Sequence, residues 1–230
     1  MNARIAVFFM GLAVVVGGCA SAGGKAAGGS GRAPAGRAGG GVAQLTAQTQ
    51  SPDADLRREA ALALGKRGLR GESAQEAREV LATLLRADSD PLVRSAAASS
   101  LGRLGGEESV PALAEGLSDR SPLVRADVCR GLGMTGAGGA VAPLAGALGL
   151  DENVDVRCGA ARALGNFREL AAWRALVEAL GADRQAVVTA SYQALRRSTG
   201  QKKLPLEQDA WQKWLATQED ATASGSAEKR

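Results

Sequence analysis

The sequence predicts an all-α fold, a right-handed α-solenoid of about five stacked helix-turn-helix repeats with a C-terminal capping helix. Three observations predict it. An eleven-residue pattern recurs from residue 51 onward, a Leu pair at i, i+4 spacing follows each copy, and the helix starts carry their own marks at Asp90-Pro91 and Ser121-Pro122. The chain of 230 residues is long enough for one such domain plus tails.

From the N-terminus, Arg4, the apolar run Ile5 to Val16 and the small residues Val16-Gly17-Gly18 read as a signal peptide over 1–18. Val16-Gly17-Gly18-Cys19 resembles the bacterial lipoprotein cleavage box, which implies that Cys19 is lipidated and becomes the first mature residue; ordinary cleavage near Ala20 to Ala22 is the alternative. Diacylglycerol and an acylated amine on Cys19 would meet the two-chain requirement for a stable anchor. Residues 19–44 are Gly, Ala and Ser with scattered Lys25, Arg32 and Arg37, the composition of a flexible tether spanning roughly 25–30 Å as a random coil.

The repeat domain is expected over 45–217. Asp55 to Gly65, Leu92 to Gly102, Leu123 to Gly133 and Asp155 to Gly165 share an apolar residue, then Arg, a small or apolar pair, Leu and Gly. This is an amphipathic helix with a Gly C-cap. A degenerate fifth copy, Val187 to Leu195, lacks the Arg. Anchored at 57, 94, 125, 157 and 188, the intervals are 37, 31, 32 and 31 residues, and the long first interval is assigned to an extended turn over Gly68 to Ser73. The second helix of each unit carries Leu81/Leu85, Leu113/Leu117, Leu144/Leu148 or Leu176/Leu180, and Ser73-Ala74-Gln75-Glu76 reads as a capping box. Neither helix can bury its stripe alone, so neighbouring units must stack.

Those columns, with Val93-Arg94, Val124-Arg125 and Val156-Arg157 at their head, resemble the short HEAT repeats of bacterial HEAT-like arrays, bilin lyases among them. The Thr-Pro-Leu-His and Trp-Leu-Gly-Tyr signatures of ankyrin and tetratricopeptide arrays are absent. The resemblance implies that the Arg ladder of Arg57, Arg94, Arg125 and Arg157 is structural, each Arg bridging to a residue such as Asp53, Asp90 or Asn153 at a helix start. A ladder for carboxylates or phosphates is the competing reading.

Gly131 to Leu150 holds no charge in twenty residues, with seven Gly and Pro143. In similar arrays the second helices line the concave surface. Ala140, Ala142 and Ala145 are therefore the candidate partner surface, against plain packing as the alternative. The five aromatics beyond the signal are Phe167, Trp173, Tyr192, Trp211 and Trp214. Trp211 and Trp214 fit a short final helix capped by Asp209 that closes the array, or else a glycan platform. The tail 218–230 is small and polar, expected to fray. Cys129 and Cys158 are either two buried small hydrophobes or, in an oxidising compartment, a pair.

With no His in the chain, Ser-His-Asp and Cys-His pairs and His-ligated zinc are excluded. No catalytic residue, metal or cofactor is expected. The net charge of +4 does not call for nucleic acid. The reading is a noncatalytic lipoprotein scaffold, anchored by lipid at the bacterial cell envelope on the periplasmic face of the outer membrane, that binds a protein partner. Glycan or small-ligand binding through the C-terminal aromatics, and a bilin-lyase-like enzyme, are the alternatives. Oligomeric state is left open.

Overall fold

The computed structural model describes residues 41–66 and 69–227. The signal peptide, Cys19 and the tether up to residue 40, with Lys25, Arg32 and Arg37, lie outside the described residues. Those described form α-helices and single 3₁₀ turns, with no strand among them. No described helix is long and apolar enough to cross a membrane.

The helices form two rows. The first holds α2 (Ala54–Leu64), α4 (Pro91–Leu104), α6 (Pro122–Thr135), α8 (Val154–Leu164) and α10 (Gln185–Thr199), each packed on the next. The second holds α1 (Val42–Gln48), α3 (Gly71–Ala87), α5 (Val110–Gly116), α7 (Val141–Leu150), α9 (Leu170–Glu178) and α11 (Gln208–Ala227). Pairing α2 with α3 and so on to α10 with α11 gives the five repeats. The repeating Leu is the reason the rows stay together: Leu64, Leu101, Leu132, Leu164 and Leu195 have no exposed surface and meet the second-row pairs in one continuous core. Burying a Leu contributes about 1.5–3 kcal/mol, so the column carries much of the array's cohesion.

Several sequence expectations need correction. The Gly column caps two of its helices, Gly65 ending α2 and Gly165 ending α8, but not the other two. Gly102 and Gly133 lie inside α4 and α6, and the C-caps there are Gly105 and Gly136, at φ of 70° and 67°. What the column provides is close approach of successive first-row helices. A Cβ added to Gly65 would lie 2.4 Å from that of Ser100, one on Gly102 would lie 2.5 Å from the Gly131 Cα, and one on Gly133 would lie 2.8 Å from the Ala163 Cβ. Ser73 is not a cap. Helix α3 begins at Gly71, two residues earlier, and its 17 residues absorb most of the extra length assigned to a turn. Ser121 accepts no capping bond, whereas Asp90 accepts from the Leu92 amide and Asn153 from those of Asp155 and Val156.

The domain limits move as well. Helix α1 starts at Val42, inside the expected tether, and lays Val42 and Leu45 against the core. At the other end α11 runs past Gln218 to Ala227, and Glu219 pairs with Arg174. The final helix is thus long, and it is the second-row member of the fifth repeat. Trp211 and Leu215, both buried, fill the i, i+4 positions that Leu pairs occupy elsewhere, and Trp211 donates its indole N–H to the Pro205 carbonyl at 2.7 Å. Trp214 is half-buried, edge-on to Trp211 at 5.8 Å and against Trp173 at 5.3 Å. A buried Trp211 supports the lid reading over an open glycan platform.

Candidate partner groove and the arginine ladder

Each ladder arginine sits one turn into a first-row helix, where its stem packs inward and its head reaches the loop that enters the next repeat. Arg94 donates from Nε and Nη2 to both carboxylate oxygens of Asp119, at 2.6 and 2.9 Å. Arg125 does the same to Asp151 at 2.8 and 2.9 Å, and Arg57 to Asp88 at 2.7 and 2.8 Å. The third guanidinium corner turns back to its own repeat, with Nη1 of Arg94 donating to the Asp88 carbonyl and that of Arg125 to the Asp119 carbonyl, both at 2.9 Å. Each aspartate also accepts the backbone N–H two residues on, from Asp90, Ser121 or Asn153, at 2.8–2.9 Å. The chain of bonds therefore runs repeat to repeat without a gap from Arg57 to Asp151.

The ladder is structural, as the resemblance implied, but its partners are different residues. Asp53, Asp90 and Asn153 cap their own helices, and the bridging carboxylates stand two residues before each of the later caps. The signal was present in the sequence: an Asp precedes Arg94, Arg125 and Arg157 by six positions in every case. Arg157 makes the weakest rung, donating from Nη1 to the exposed Asp183 at 3.2 Å and from Nε to the Leu148 carbonyl. In the fifth repeat the Asp lies one residue nearer the anchor position 188, so the bidentate geometry is lost.

Burial and pairing act together on these groups. Arg94 and Asp119 keep 4% and 8% of their side-chain surface, Arg125 and Asp151 8% each. The Arg57 hydrogen bonds hold the Asp88 carboxyl below its ordinary pKa. Burial pushes Asp119 and Asp151 up, but the hydrogen bonds from Arg94 and Arg125, those from the Ser121 and Asn153 amides and the guanidinium charges outweigh it. Both end below the ordinary value.

A cleft of about 520 Å³ opens between α5 and α7, next to the Arg125–Asp151 rung. Leu117, Pro143 and Ala147 form its apolar wall, Gly146 leaves it open, and Leu150 stands at the lip with 87% of its surface exposed. A smaller cleft of about 140 Å³ between α3 and α5 shares Ser118 and Asp119 with it, so one groove follows the second row across three helices. The cleft needs small residues because a long side chain at 146 or 147 would fill it. Its rim is acidic: Asp119 and Asp151 are paired by the ladder, and Glu152, 87% exposed, accepts a longer bond from the already paired Arg125 at 3.3 Å.

Of the three alanines expected to face a partner, only two keep exposed surface. Ala140 has no exposed surface and packs in the core from the 3₁₀ turn Gly138–Ala140, ahead of α7, so it is removed from the candidate surface. Ala142 is exposed and Ala145 half-buried, but the cleft itself lies on the flank of α7 marked by Pro143, Gly146 and Leu150. Periodicity located the helix; the flank was set by where α5 ends. Cys129 and Cys158 are both buried and both free, and burial pushes the Cys129 thiol up to about 12. No cluster of three potential metal ligands occurs among the described residues.

Residues 42–121 and 110–196 match the family model of HEAT repeats. The chain belongs to the HEAT-repeat family. Among solved structures, this HEAT array is similar to YibA of Escherichia coli, at 20% identity over 69% of the chain, with a TM-score of 0.52. It is similar also to the CpcE–CpcF complex of phycocyanin lyase from Nostoc sp. PCC7120, at 24% identity over 70% of the chain, with a TM-score of 0.56. It spans 60% and 66% of those two chains' own lengths. These likenesses show the fold. No curated protein matches the sequence.

Proposed function

We propose that this HEAT array is a noncatalytic, lipid-anchored scaffold at the bacterial cell envelope, on the periplasmic face of the outer membrane, that holds a protein partner in the groove between α5 and α7. The observation that carries the reading is the groove itself: a cleft of about 520 Å³ with a small-residue wall, an exposed Leu150 at its lip and an exposed Glu152 beside it. Such a site suits an extended segment with one apolar side chain and a neighbouring basic one. The Val16-Gly17-Gly18-Cys19 box supports the anchor, and lipid on Cys19 would tether the array to the bilayer. The two tests are separate. Cys19→Ser should abolish labelling by palmitate and partition into detergent; retained labelling sinks the anchor. Gly146→Lys fills the groove from a position where an added Cβ meets nothing within 4 Å, so it should block the partner without unfolding the array. Wild-type partner binding by a folded Gly146→Lys protein overturns the groove.

A further inference from the structure

A second cleft lies on the opposite row of helices, and it carries unspent positive charge. Arg130 from α6, Arg162 from α8 and Arg197 from α10 line one pocket of about 300 Å³, together with Met134 and Asn166 and with Gly159 in its wall. Among the described residues most arginines meet a carboxylate, as Arg58, Arg78, Arg86 and Arg174 do, besides the ladder. Here only Arg130 does, at 2.6 Å from Asp127, whose other oxygen accepts from the Ser95 hydroxyl.

Arg197 turns its bonds to neutral oxygens: the Arg162 carbonyl at 2.5 Å, the Asn166 Oδ1 at 3.3 Å and the Gly165 carbonyl at 3.4 Å. The two carbonyls lie at the C-terminal end of α8, Arg162 in its last turn and Gly165 at its C-cap, so the guanidinium closes that helix end while its charge stays unmatched by any carboxylate. Its Nη1 donates to no described residue. The Arg162 side chain makes no hydrogen bond or ion pair with any described residue. Asn166 spends its amide on the Gly133 carbonyl at 2.9 Å, which fixes the cleft's lower edge. Asp127, next to pocket-lining Ala126, is buried and already engaged.

We propose that this cleft is a binding site for a phosphoryl group, held by Arg162 with the free corner of Arg197 and with Arg130. Two guanidinium groups without counter-ions favour a dianion with several acceptors, and their planar forks match phosphate oxygens two at a time. The small wall helps: a Cβ on Gly159 would meet nothing nearer than 3.8 Å, so a ligand of a few heavy atoms can sit against the backbone. The site lies on the first-row face and does not depend on the groove between α5 and α7.

The test titrates the full chain, in nonionic detergent, with inorganic phosphate at constant ionic strength and, in a second arm, with short-chain phosphatidic acid, whose phosphomonoester is a dianion, below its micelle concentration. Saturable phosphate binding is expected, absent with chloride, and about tenfold or more weaker in Arg162→Ala. The Arg162 side chain bonds to no described residue, so its removal should leave the melting temperature unchanged. Met134→Glu is the second variant, placing a carboxylate in the pocket from a side chain 42% exposed, and it should weaken binding likewise. Phosphate binding without lipid binding assigns the site to a free phosphorylated compound, and binding of both at similar strength to a membrane headgroup. Failure of both arms, or wild-type affinity in folded Arg162→Ala and Met134→Glu, overturns the proposal.

Discussion

Removing the carboxylate of Asp119 is the sharpest perturbation of the ladder. Asp119→Ala deletes the bidentate bond from Arg94 at 2.6 and 2.9 Å, deletes the acceptor for the Ser121 amide at 2.8 Å, and leaves a guanidinium with 4% exposed side chain holding only the Asp88 and Ser89 carbonyls, with no carboxylate on it. The stranded charge dominates the cost, about 3–5 kcal/mol for a buried pair that loses one partner. Asp183→Ala is the internal control, because that carboxylate is 67% exposed and meets Arg157 at 3.2 Å and Arg184 at 3.3 Å with one oxygen each, so its loss should cost no more than about 1 kcal/mol. Urea unfolding followed by far-ultraviolet circular dichroism measures both. A double-mutant cycle with Arg94→Met then separates the pair from the stranded charge. Equal costs for Asp119→Ala and Asp183→Ala, within about 0.5 kcal/mol, would refute the argument that burial sets the strength of each rung.

The carboxyls of Asp88, Asp119 and Asp151 titrate lower in the folded chain than their ordinary value of 3.8, so the unfolded chain takes up their protons first. Their stabilisation should be complete above about pH 4–5 and disappear as the pH falls through the lower folded values, and Asp119→Asn should flatten that slope in acid melts. Gly102→Ala should destabilise by about 1–3 kcal/mol, since its Cβ would lie 2.5 Å from the Gly131 backbone, whereas Gly146→Ala, in open space on α7, should stabilise by up to about 1 kcal/mol. Truncation before Gln208 removes buried Trp211 and should lower the melting temperature and promote association, both read by light scattering on heating. Cys129 and Cys158 should react with a thiol reagent only after unfolding, because both are buried and the Cys129 thiol is pushed up to about 12.

The rows, the repeat number and the core Leu column were legible because they depend on local period, which a sequence carries directly. Features set between repeats were harder. The Gly column reads as caps when each helix is considered alone; its close contacts, such as Gly102 on Gly131, exist only once neighbouring helices are laid together. The ladder's true acceptors, Asp119 and Asp151, sit 25 and 26 residues from their arginines, where helix-start rules point instead at the nearer cap residues. The groove needed the ends of α5 and α7 in space, so the charge-free helix was found but the burial of Ala140 was not. Helix α11 extends past Gln218, where Glu219 meets Arg174 on α9, a contact 45 residues distant that local sequence does not carry.

Photo-crosslinking from chosen positions in intact envelopes tests the central claim most directly. A benzophenone side chain placed at Ala142, Gly146 or Leu150 samples the exposed flank of α7, and one at Gln193 samples the exposed face of α10 in the other row. One adduct of the same mass is expected from Gly146 and Leu150, none from Gln193, and loss of that adduct when Glu152→Lys reverses the charge at the groove rim. Adducts of equal yield from Gln193 and Gly146, or a Gly146 adduct untouched by Glu152→Lys, would contradict that claim.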